Sequence, residues 1–370
     1  MTSRDRIIAA LAGRLPDRAP ITIYEMSHLA ADAWYLREPS CRPLLDAQRN
    51  LGDSIVMTGL PVMRFLDDPN AVRDSSKMVG RSTVITRTLR TPKGDLTAVS
   101  RRDPGVATTW QLKAYIESPD DARKFLSLPV EPYAVDVSGL KAQIERAGDE
   151  GLVNVSLGDT LGYVVSLFHY DRFAMMLVDD EPLVMELMRV TYERLRQGLA
   201  QACRQVRGVA FRFWGPEYAG PSLLHPRYFR KLVVDFLAPL IEMVNQSGNY
   251  SIVHCHGRLD AILEMIAEMR PHALEPLEVL PAVTADVAMA DIKRRIGARV
   301  CLMGGVQASE LETRPAEYVT ARVREIMLAA KDGGRYVMLP TGGPIRTPVP
   351  PEVVRNYQAY FAAGREFGGY

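Results

Sequence analysis

The chain has 370 residues, 47% hydrophobic and 24% charged, which suits one large barrel-type domain or two smaller ones. Its 45 Lys and Arg residues balance 44 Asp and Glu residues, and this near-neutral charge argues against nucleic acid as a main partner. The four cysteines form no CxxC pair, and no apolar run approaches the roughly 18 residues of a membrane span. The N-terminus also offers no clean signal-peptide core, so we expect a cytoplasmic protein.

Short β-like segments alternate with amphipathic segments along the chain, a pattern typical of βα units around a parallel sheet. The predicted strands are Ile21–Tyr24, Ser54–Thr58, Leu152–Leu157, Val209–Trp214, Ser251–His254, Ala273–Pro276, Val300–Met303 and Tyr336–Leu339. The predicted helices include Pro182–Arg204, Pro226–Asn245, Leu259–Met269, Val287–Ile296 and Pro315–Lys331. These elements predict an α/β fold of the (β/α)8 TIM-type barrel class, with an N-terminal helical extension and a single domain over 1–370. A doubly wound sheet is the alternative.

One segment breaks this alternation. Residues Ser82–Arg101 form two extended runs joined by Thr91–Asp95, whose Thr-Pro-Lys-Gly-Asp composition is typical of a hairpin turn. We therefore predict a β-hairpin inserted between the second and third barrel strands.

Functional residues of a (β/α)8 barrel follow the carboxyl ends of its strands, so those positions nominate the site. We predict that Glu217, Glu275 and Asp159 are catalytic residues. The predicted substrate-binding residues are Tyr24, Glu25, Trp214, Gln307 and Thr341. For Glu217 the alternative is a turn built by Gly215 and Pro216 in which the acid has no role.

The segment His254-Cys255-His256-Gly257 places three transition-metal ligand types at the end of one strand. Alternate residues of an extended segment point the same way, so His254 and His256 can face one point while Cys255 faces the other side. The next predicted strand end carries Glu275 and Glu278, and two histidines with one glutamate would suit Zn²⁺. The alternative is that the histidines bind an anionic substrate through hydrogen bonds.

Several motifs resemble the uroporphyrinogen decarboxylase superfamily, most strongly from about residue 208 onwards. They are His-x-x-Gly at residues 254–257, Lys-Arg-Arg-x-Gly at 293–297, Met-Gly-Gly-Val-Gln at 303–307, the segment 333–340 and the prolines of 348–351. The resemblance implies a (β/α)8 barrel and commonly a homodimer. It also implies either heme-pathway decarboxylation or zinc-dependent methyl transfer involving a corrinoid protein or coenzyme M.

Two departures from the family patterns bear on the activity. Where the decarboxylase has an arginine-containing stretch for substrate carboxylates, residues 21–28 contain Glu25 and no arginine, which disfavours the heme-pathway reaction. Where the methyltransferase branch has a His-x-Cys motif and a distant cysteine as zinc ligands, this chain has His256 and Thr341 at the cysteine positions. A site without thiolates is a stronger Lewis acid towards oxygen, which favours an oxygen-bearing donor over a thiol partner.

The resemblance implies His254 and His256 as zinc ligands. Cobalamin-independent methionine synthases, a remoter barrel family, have a ligand glutamate at a spacing similar to that of Glu278, so Glu278 is preferred over Glu275 as the third ligand. We therefore expect metal-assisted O- or N-demethylation of a small substrate, with the methyl group passed to a corrinoid on a separate protein. The alternatives are a cofactor-independent decarboxylase acting on a carboxylated substrate and a catalytically silent binding relative.

Overall fold

The computed structural model describes residues 1–63, 65, 71–104, 109–131 and 133–370. Two compact units form: one comprises residues 1–60, 137–157 and 206–370, and the other comprises residues 61–136 and 158–205. The single domain expected over 1–370 stays a prediction. None of the described helices combines the length and the apolar character needed to cross a membrane.

The described strands are, in chain order, β1 (Ser54–Gly59), β2 (Val72–Val79), β3 (Ser82–Leu89), β4 (Leu96–Arg102), β5 (Thr109–Lys113), β6 (Gly151–Gly158), β7 (Ala210–Trp214), β8 (Tyr250–His254), β9 (Ala273–Leu277), β10 (Cys301–Val306) and β11 (Tyr336–Pro340). The described α-helices are α1 (Ser3–Leu11), α2 (Trp34–Arg37), α3 (Arg42–Leu51), α4 (Pro119–Leu126), α5 (Ser138–Ala147), α6 (Thr160–Val165), α7 (Tyr170–Asp179), α8 (Glu181–Gln205), α9 (Pro226–Phe229), α10 (Asp235–Gln246), α11 (Leu263–Glu268), α12 (Met289–Ile296), α13 (Ala308–Thr313), α14 (Ala316–Ala330) and α15 (Pro351–Phe367). Short 3₁₀ turns lie at Pro39–Cys41 and Pro216–Ala219, and a π-helical turn lies at Arg230–Val234.

The larger sheet has seven strands in the order β1-β6-β7-β8-β9-β10-β11, with parallel pairing between neighbours. Spatial order follows chain order, as expected when each strand is followed by a crossover that returns the chain to the same end of the sheet. This α/β architecture fits a TIM-type barrel.

The first predicted strand, Ile21–Tyr24, is wrong as a strand. Ile21 forms an isolated parallel bridge with Met338 of β11, and its carbonyl accepts a hydrogen bond of 2.6 Å from the backbone of Asp53, next to β1. The extended segment ends before Glu25, whose φ of 53° is a left-handed conformation that cannot continue a strand.

The predicted helix Pro226–Asn245 is interrupted in the structure. It comprises α9, the π-helical turn and α10, and α10 contains Pro239. Proline lacks the backbone N–H that would bond the carbonyl of Asp235, and its ring crowds that carbonyl. The π-helical turn, which is wider than an α-helical one, lies immediately before Asp235.

The smaller sheet is antiparallel, in the order β2-β3-β4-β5. Its central pair, β3 and β4, contains the two runs of the predicted hairpin, with Thr88 opposite Thr97. The outer strands β2 and β5 were not anticipated from the sequence. Both are largely exposed, so they lack the alternation of buried apolar residues by which a half-buried strand is recognised.

One face of the larger sheet carries the apolar core. The same face carries polar residues nearer the carboxyl ends of the strands. Its buried apolar members include Leu152, Ala210, Ile252, Ala273 and Val337. Alternate residues of a strand share a face, so Arg212, His254 and Glu275 stand on this same face, two residues further along β7, β8 and β9.

Candidate functional site

Arg212 is the centre of a buried polar cluster and joins four parts of the larger unit. Its side chain is 5% exposed, and its Nε forms an ion pair with Oε1 of Glu275. Nη1 donates to Ser156 Oγ at 3.0 Å, and Nη2 donates to the Tyr24 hydroxyl at 2.7 Å. Nη2 also lies 3.2 Å from Oε1 of Glu25. One guanidinium therefore connects β6, β7, β9 and the segment after Ile21.

His254 lies against the same guanidinium. Nη2 of Arg212 is 2.7 Å from Nδ1 of His254, and Oε1 of Glu275 is 3.4 Å from that nitrogen. Burial lowers the pKa of His254, the charge of Arg212 acts in the same direction, and the nearby carboxylate of Glu275 opposes both effects. Because a guanidinium can only donate, Nδ1 accepts this bond, which places the proton of the neutral imidazole on Nε2.

The charges of the cluster sum to a negative value. Burial opposes ionisation of Glu275, but the positive charge and the hydrogen bond of Arg212, with His254 alongside, outweigh it and hold its pKa at about 2. Burial raises the pKa of Tyr24 well above its ordinary value, so the phenol stays neutral. With Glu25 and Glu275 ionised and Arg212 cationic, the formal sum is one negative charge.

Glu25 has a strained backbone. Its φ of 53° places a residue other than glycine in the left-handed region. Such conformations cost of the order of 1–3 kcal/mol and persist where surrounding contacts compensate, often at functional sites. Here the compensation includes the ion pair with Arg212, and the side chain remains 45% exposed. A ligand can therefore reach the Glu25 carboxylate.

His256 and Glu278 form a second pair next to the cluster. Nδ1 of His256 lies 2.9 Å from Oε1 of Glu278, and the two side chains are 39% and 12% exposed. Burial would raise the pKa of Glu278, but hydrogen bonds from His256, Thr284 and the backbone of Gly257 together outweigh this effect and lower the pKa. The rings of His254 and His256 meet edge to face, with centroids 4.6 Å apart and an interplanar angle of 81°. Glu278 therefore orients His256.

The donor groups do not fit the zinc site expected from the sequence. No group of three His, Cys, Asp or Glu side chains within the described ranges is arranged to hold a metal ion. Nη2 of Arg212 lies within 3.4 Å of both ring nitrogens of His254, so a dication there would face a permanent positive charge. Nδ1 of His256 and Oε1 of Glu278 contact each other at 2.9 Å, so these two atoms do not both face a third point as ligands.

The other predicted catalytic residues have local structural partners. Oε2 of Glu217 accepts from the backbone N–H of Gly215 at 2.9 Å, within the turn that was the alternative for this residue. Asp159 caps α6, its Oδ1 accepting from the backbone of Gly162 at 2.6 Å. Trp214 lies half-buried at the end of β7.

Gln307 and Thr341, both predicted to bind substrate, contact each other after β10 and β11. The Thr341 hydroxyl donates to Oε1 of Gln307 at 3.1 Å and accepts from the backbone of Ala308 at 3.0 Å. The structure thus brings together Tyr24, Glu25, Glu275 and the two histidines as one group, and Gln307 with Thr341 as another.

The sequence interpretation missed Arg212, Ser156 and Asn154. Each stands within a strand rather than after it, on the face that carries the core. Asn154 is fully buried, and neither atom of its amide has a hydrogen-bond partner among the described residues. The available signal was a polar residue alternating with apolar ones, as in Phe211-Arg212-Phe213.

The fold and this cluster define an α/β protein of the TIM-barrel type with a polar site on the core-bearing face of its parallel sheet. The family model described as uroporphyrinogen decarboxylase (URO-D) matches residues 159–361, more than half of the chain. The chain therefore belongs to the uroporphyrinogen decarboxylase family.

Among solved structures, the chain is similar to a methyltransferase from Methanosarcina mazei, with 16% sequence identity, a TM-score of 0.61 and 99% of each chain covered. A D-psicose 3-epimerase matches at 9% identity over 65% of this chain and 84% of its own, with a TM-score of 0.29. No curated protein matches this sequence. At these identities the solved structures support the fold alone.

Proposed function

We propose that this protein is a methyltransferase that removes a methyl group from an oxygen or nitrogen atom of a small donor whose methyl-bearing end is neutral or cationic. Family membership allows either decarboxylation or methyl transfer. The similarity in fold to the Methanosarcina methyltransferase over nearly the whole chain supports the second.

The negative charge of the Arg212 cluster is the observation that carries the proposal. Arg212 is already paired with Glu275 and lies 3.2 Å from Glu25. A carboxylate brought to this site would be repelled by the carboxylate of Glu25, and the guanidinium of Arg212 is already paired. A methyl ether or a methylated amine brings no negative charge, and an ammonium donor would be attracted. The site therefore favours methyl donors over the carboxylated substrates of a decarboxylase.

The His256–Glu278 pair supplies the proton that methyl transfer from oxygen requires. In the reaction the methyl C–O bond breaks, a new bond forms between that carbon and a nucleophilic acceptor, and the oxygen takes up a proton. We assign that proton to His256, which Glu278 orients through the 2.9 Å contact at Nδ1. Because the His256 side chain is 39% exposed, solvent can protonate it again after each turnover.

The methyl acceptor in this proposal is a corrinoid carried by a separate protein, which acts as a second substrate. The chain has six histidines, and none stands in the Asp-x-His-x-x-Gly context by which a corrinoid is bound. Since the donor groups at the cluster do not fit zinc, activation of the leaving oxygen is assigned to the proton of His256.

The test is methyl transfer from anisole to cob(I)alamin, followed by the absorbance of methylcobalamin. We expect His256→Gln, which keeps a polar contact to Glu278 but carries no transferable proton, to lower the rate by about 10²–10⁴-fold. The matched control is His225→Gln, because His225 is exposed and bonds the backbone of its own turn. An unchanged rate in His256→Gln would contradict the assignment of the acid. Release of CO₂ from carboxylated substrates without methyl transfer would contradict the proposed reaction.

A further inference from the structure

Asp286 joins the loop after β9 to the segment after β8. Its Oδ1 accepts the backbone N–H of Leu259 at 3.0 Å and the backbone N–H of Asp260 at 3.2 Å. These two donors lie three and four residues after His256 in the chain, and Asp286 lies eight residues after Glu278. One carboxylate oxygen therefore connects the two segments that carry the His256–Glu278 pair.

The loop from Glu278 to Asp286 is closed at its base. The backbone N–H of Leu280 donates to the carbonyl of Val287 at 3.1 Å. The guanidinium of Arg322, whose side chain is 3% exposed, donates to the carbonyl of Leu280 at 2.9 Å and ties this base to α14. Glu278 and Asp286 therefore flank a closed base, and the segment after β8 is bound to that base at two points.

The chain turns between His256 and the bonds of Asp286 at Gly257, whose φ is 89°. Glycine adopts a wide range of backbone conformations, so this residue does not itself fix the direction of the chain that follows. Leu259 is buried, whereas the His256 side chain is 39% exposed. The position of His256 relative to the loop after β9 therefore depends on contacts between the two segments, among them those of Asp286.

The contact with Glu278 determines which ring nitrogen of His256 carries the proton. Because the pKa of Glu278 is lowered despite its burial, its carboxylate is ionised at neutral pH and can only accept hydrogen bonds. Nδ1 of neutral His256 therefore carries the proton and donates at 2.9 Å, which leaves Nε2 as the nitrogen that takes up and releases a proton. Loss of the contact would allow the other tautomer.

We propose that Asp286 is a positioning residue, which holds the segment after β8 against the loop after β9 so that Nδ1 of His256 keeps its contact with Glu278. Asp286 acts through this pair and takes no part in the proton transfer itself. That the pair delivers a proton to the leaving oxygen rests on the proposed function. That Asp286 holds the pair together does not.

The first test measures the tautomer of His256 and does not depend on turnover. Two-bond ¹H–¹⁵N correlation spectra of ¹⁵N-histidine-labelled protein are recorded at a pH where the neutral imidazole predominates, and the His256 signals are assigned by their loss in His256→Gln. We expect the Nδ1–H tautomer in the native protein and in Asp286→Asn, whose amide oxygen can accept the same two N–H groups. Asp286→Ala should shift His256 towards the Nε2–H tautomer, the form expected in Glu278→Ala.

The second test compares rates of methyl transfer from anisole to cob(I)alamin. Asp286→Ala should lower kcat by about 10–10²-fold with little change in KM, because it displaces the proton donor alone, and Asp286→Asn should restore most of the rate. In the His256→Gln background, Asp286→Ala should lower the rate no further, because both act through the same proton. Asp180→Ala is the matched control, since Asp180 likewise accepts a backbone N–H, that of Leu183 at 3.2 Å, in the other unit.

A native spectrum with the proton on Nε2 of His256, or an Asp286→Ala spectrum with the native tautomer, would overturn the proposal. So would rate losses of Asp286→Ala and His256→Gln that multiply in the double variant, because they would indicate a role unrelated to His256. If the spectra change as expected while the native protein transfers no methyl group, the proposed function fails and the positioning role of Asp286 stands.

Discussion

Replacing Arg212 by methionine should strongly destabilise the larger unit, because it leaves Glu275 buried without a counter-charge. The Arg212 and Glu275 side chains are 5% and 4% exposed, so solvent screens their interaction little. The pKa of Glu275 is held at about 2 against an ordinary value of 4.5, a difference that corresponds to about 3 kcal/mol of the free energy of unfolding at neutral pH. Loss of one partner of a buried ion pair typically costs about 3–5 kcal/mol.

The sign of the pH dependence follows from the lowered pKa. The contribution of Glu275 is fully present above pH 4.5, the unfolded-state value, and is lost as the pH falls towards about 2, the folded-state value. In Arg212→Met this acid-side loss of stability should largely disappear, because the carboxyl no longer gains a favourable partner in the folded state.

The assay is urea unfolding at pH 7, followed by both far-UV circular dichroism and tryptophan fluorescence because the chain has two compact units. The double variant Arg212→Met/Glu275→Leu removes both charges and should recover most of the lost stability. Arg294→Met, which breaks the exposed pair with Asp291, should change the stability by less than about 1 kcal/mol. A loss below about 1 kcal/mol in Arg212→Met, or a double variant no more stable than the single one, would refute the reasoning.

Three further predictions concern metal, substrate and assembly. Protein purified without chelator should contain zinc well below one atom per chain by mass spectrometry. One zinc per chain, lost in both His254→Ala and His256→Ala, would instead support the ligand set expected from the sequence. Turnover of uroporphyrinogen should be negligible by chromatography of the porphyrin products, because Glu25 faces the site; efficient formation of coproporphyrinogen would contradict this. A homodimer is expected by light scattering, since the smaller sheet exposes Met78, Trp110 and Leu112; a monomer at micromolar concentration would count against it.

The sequence predicts the parallel strands well because their apolar runs are buried and bounded by polar or glycine-containing segments. It fails at Ile21–Tyr24, where one left-handed residue, Glu25, ends an otherwise suitable extended segment. It also misses β2 and β5, whose exposed residues show no burial pattern. Single-residue backbone conformations and exposed strands leave no periodic signal in the sequence.

The candidate site could also be predicted only in part from the sequence. Tyr24, Glu25, Glu275 and the histidines could be nominated because they lie at the carboxyl ends of predicted strands, and the structure brings them together. The chemistry of the group could not be predicted, since it depends on Arg212, a cation within a strand whose contacts with four neighbouring segments are set only by the fold. Spacing alone showed that His254 and His256 share a face, but not that a guanidinium lies against one of them.

The most direct test of the account is the fate of a ¹³C-labelled methyl group, followed by NMR in the presence of cob(I)alamin. We expect the label of ¹³C-anisole to leave the oxygen and appear in methylcobalamin, with one phenol formed for each methyl transferred, and His256→Gln to suppress both products together. Label that remains on anisole and on methylated amines, while a carboxylated analogue releases CO₂, would contradict the central claim that this site transfers methyl groups.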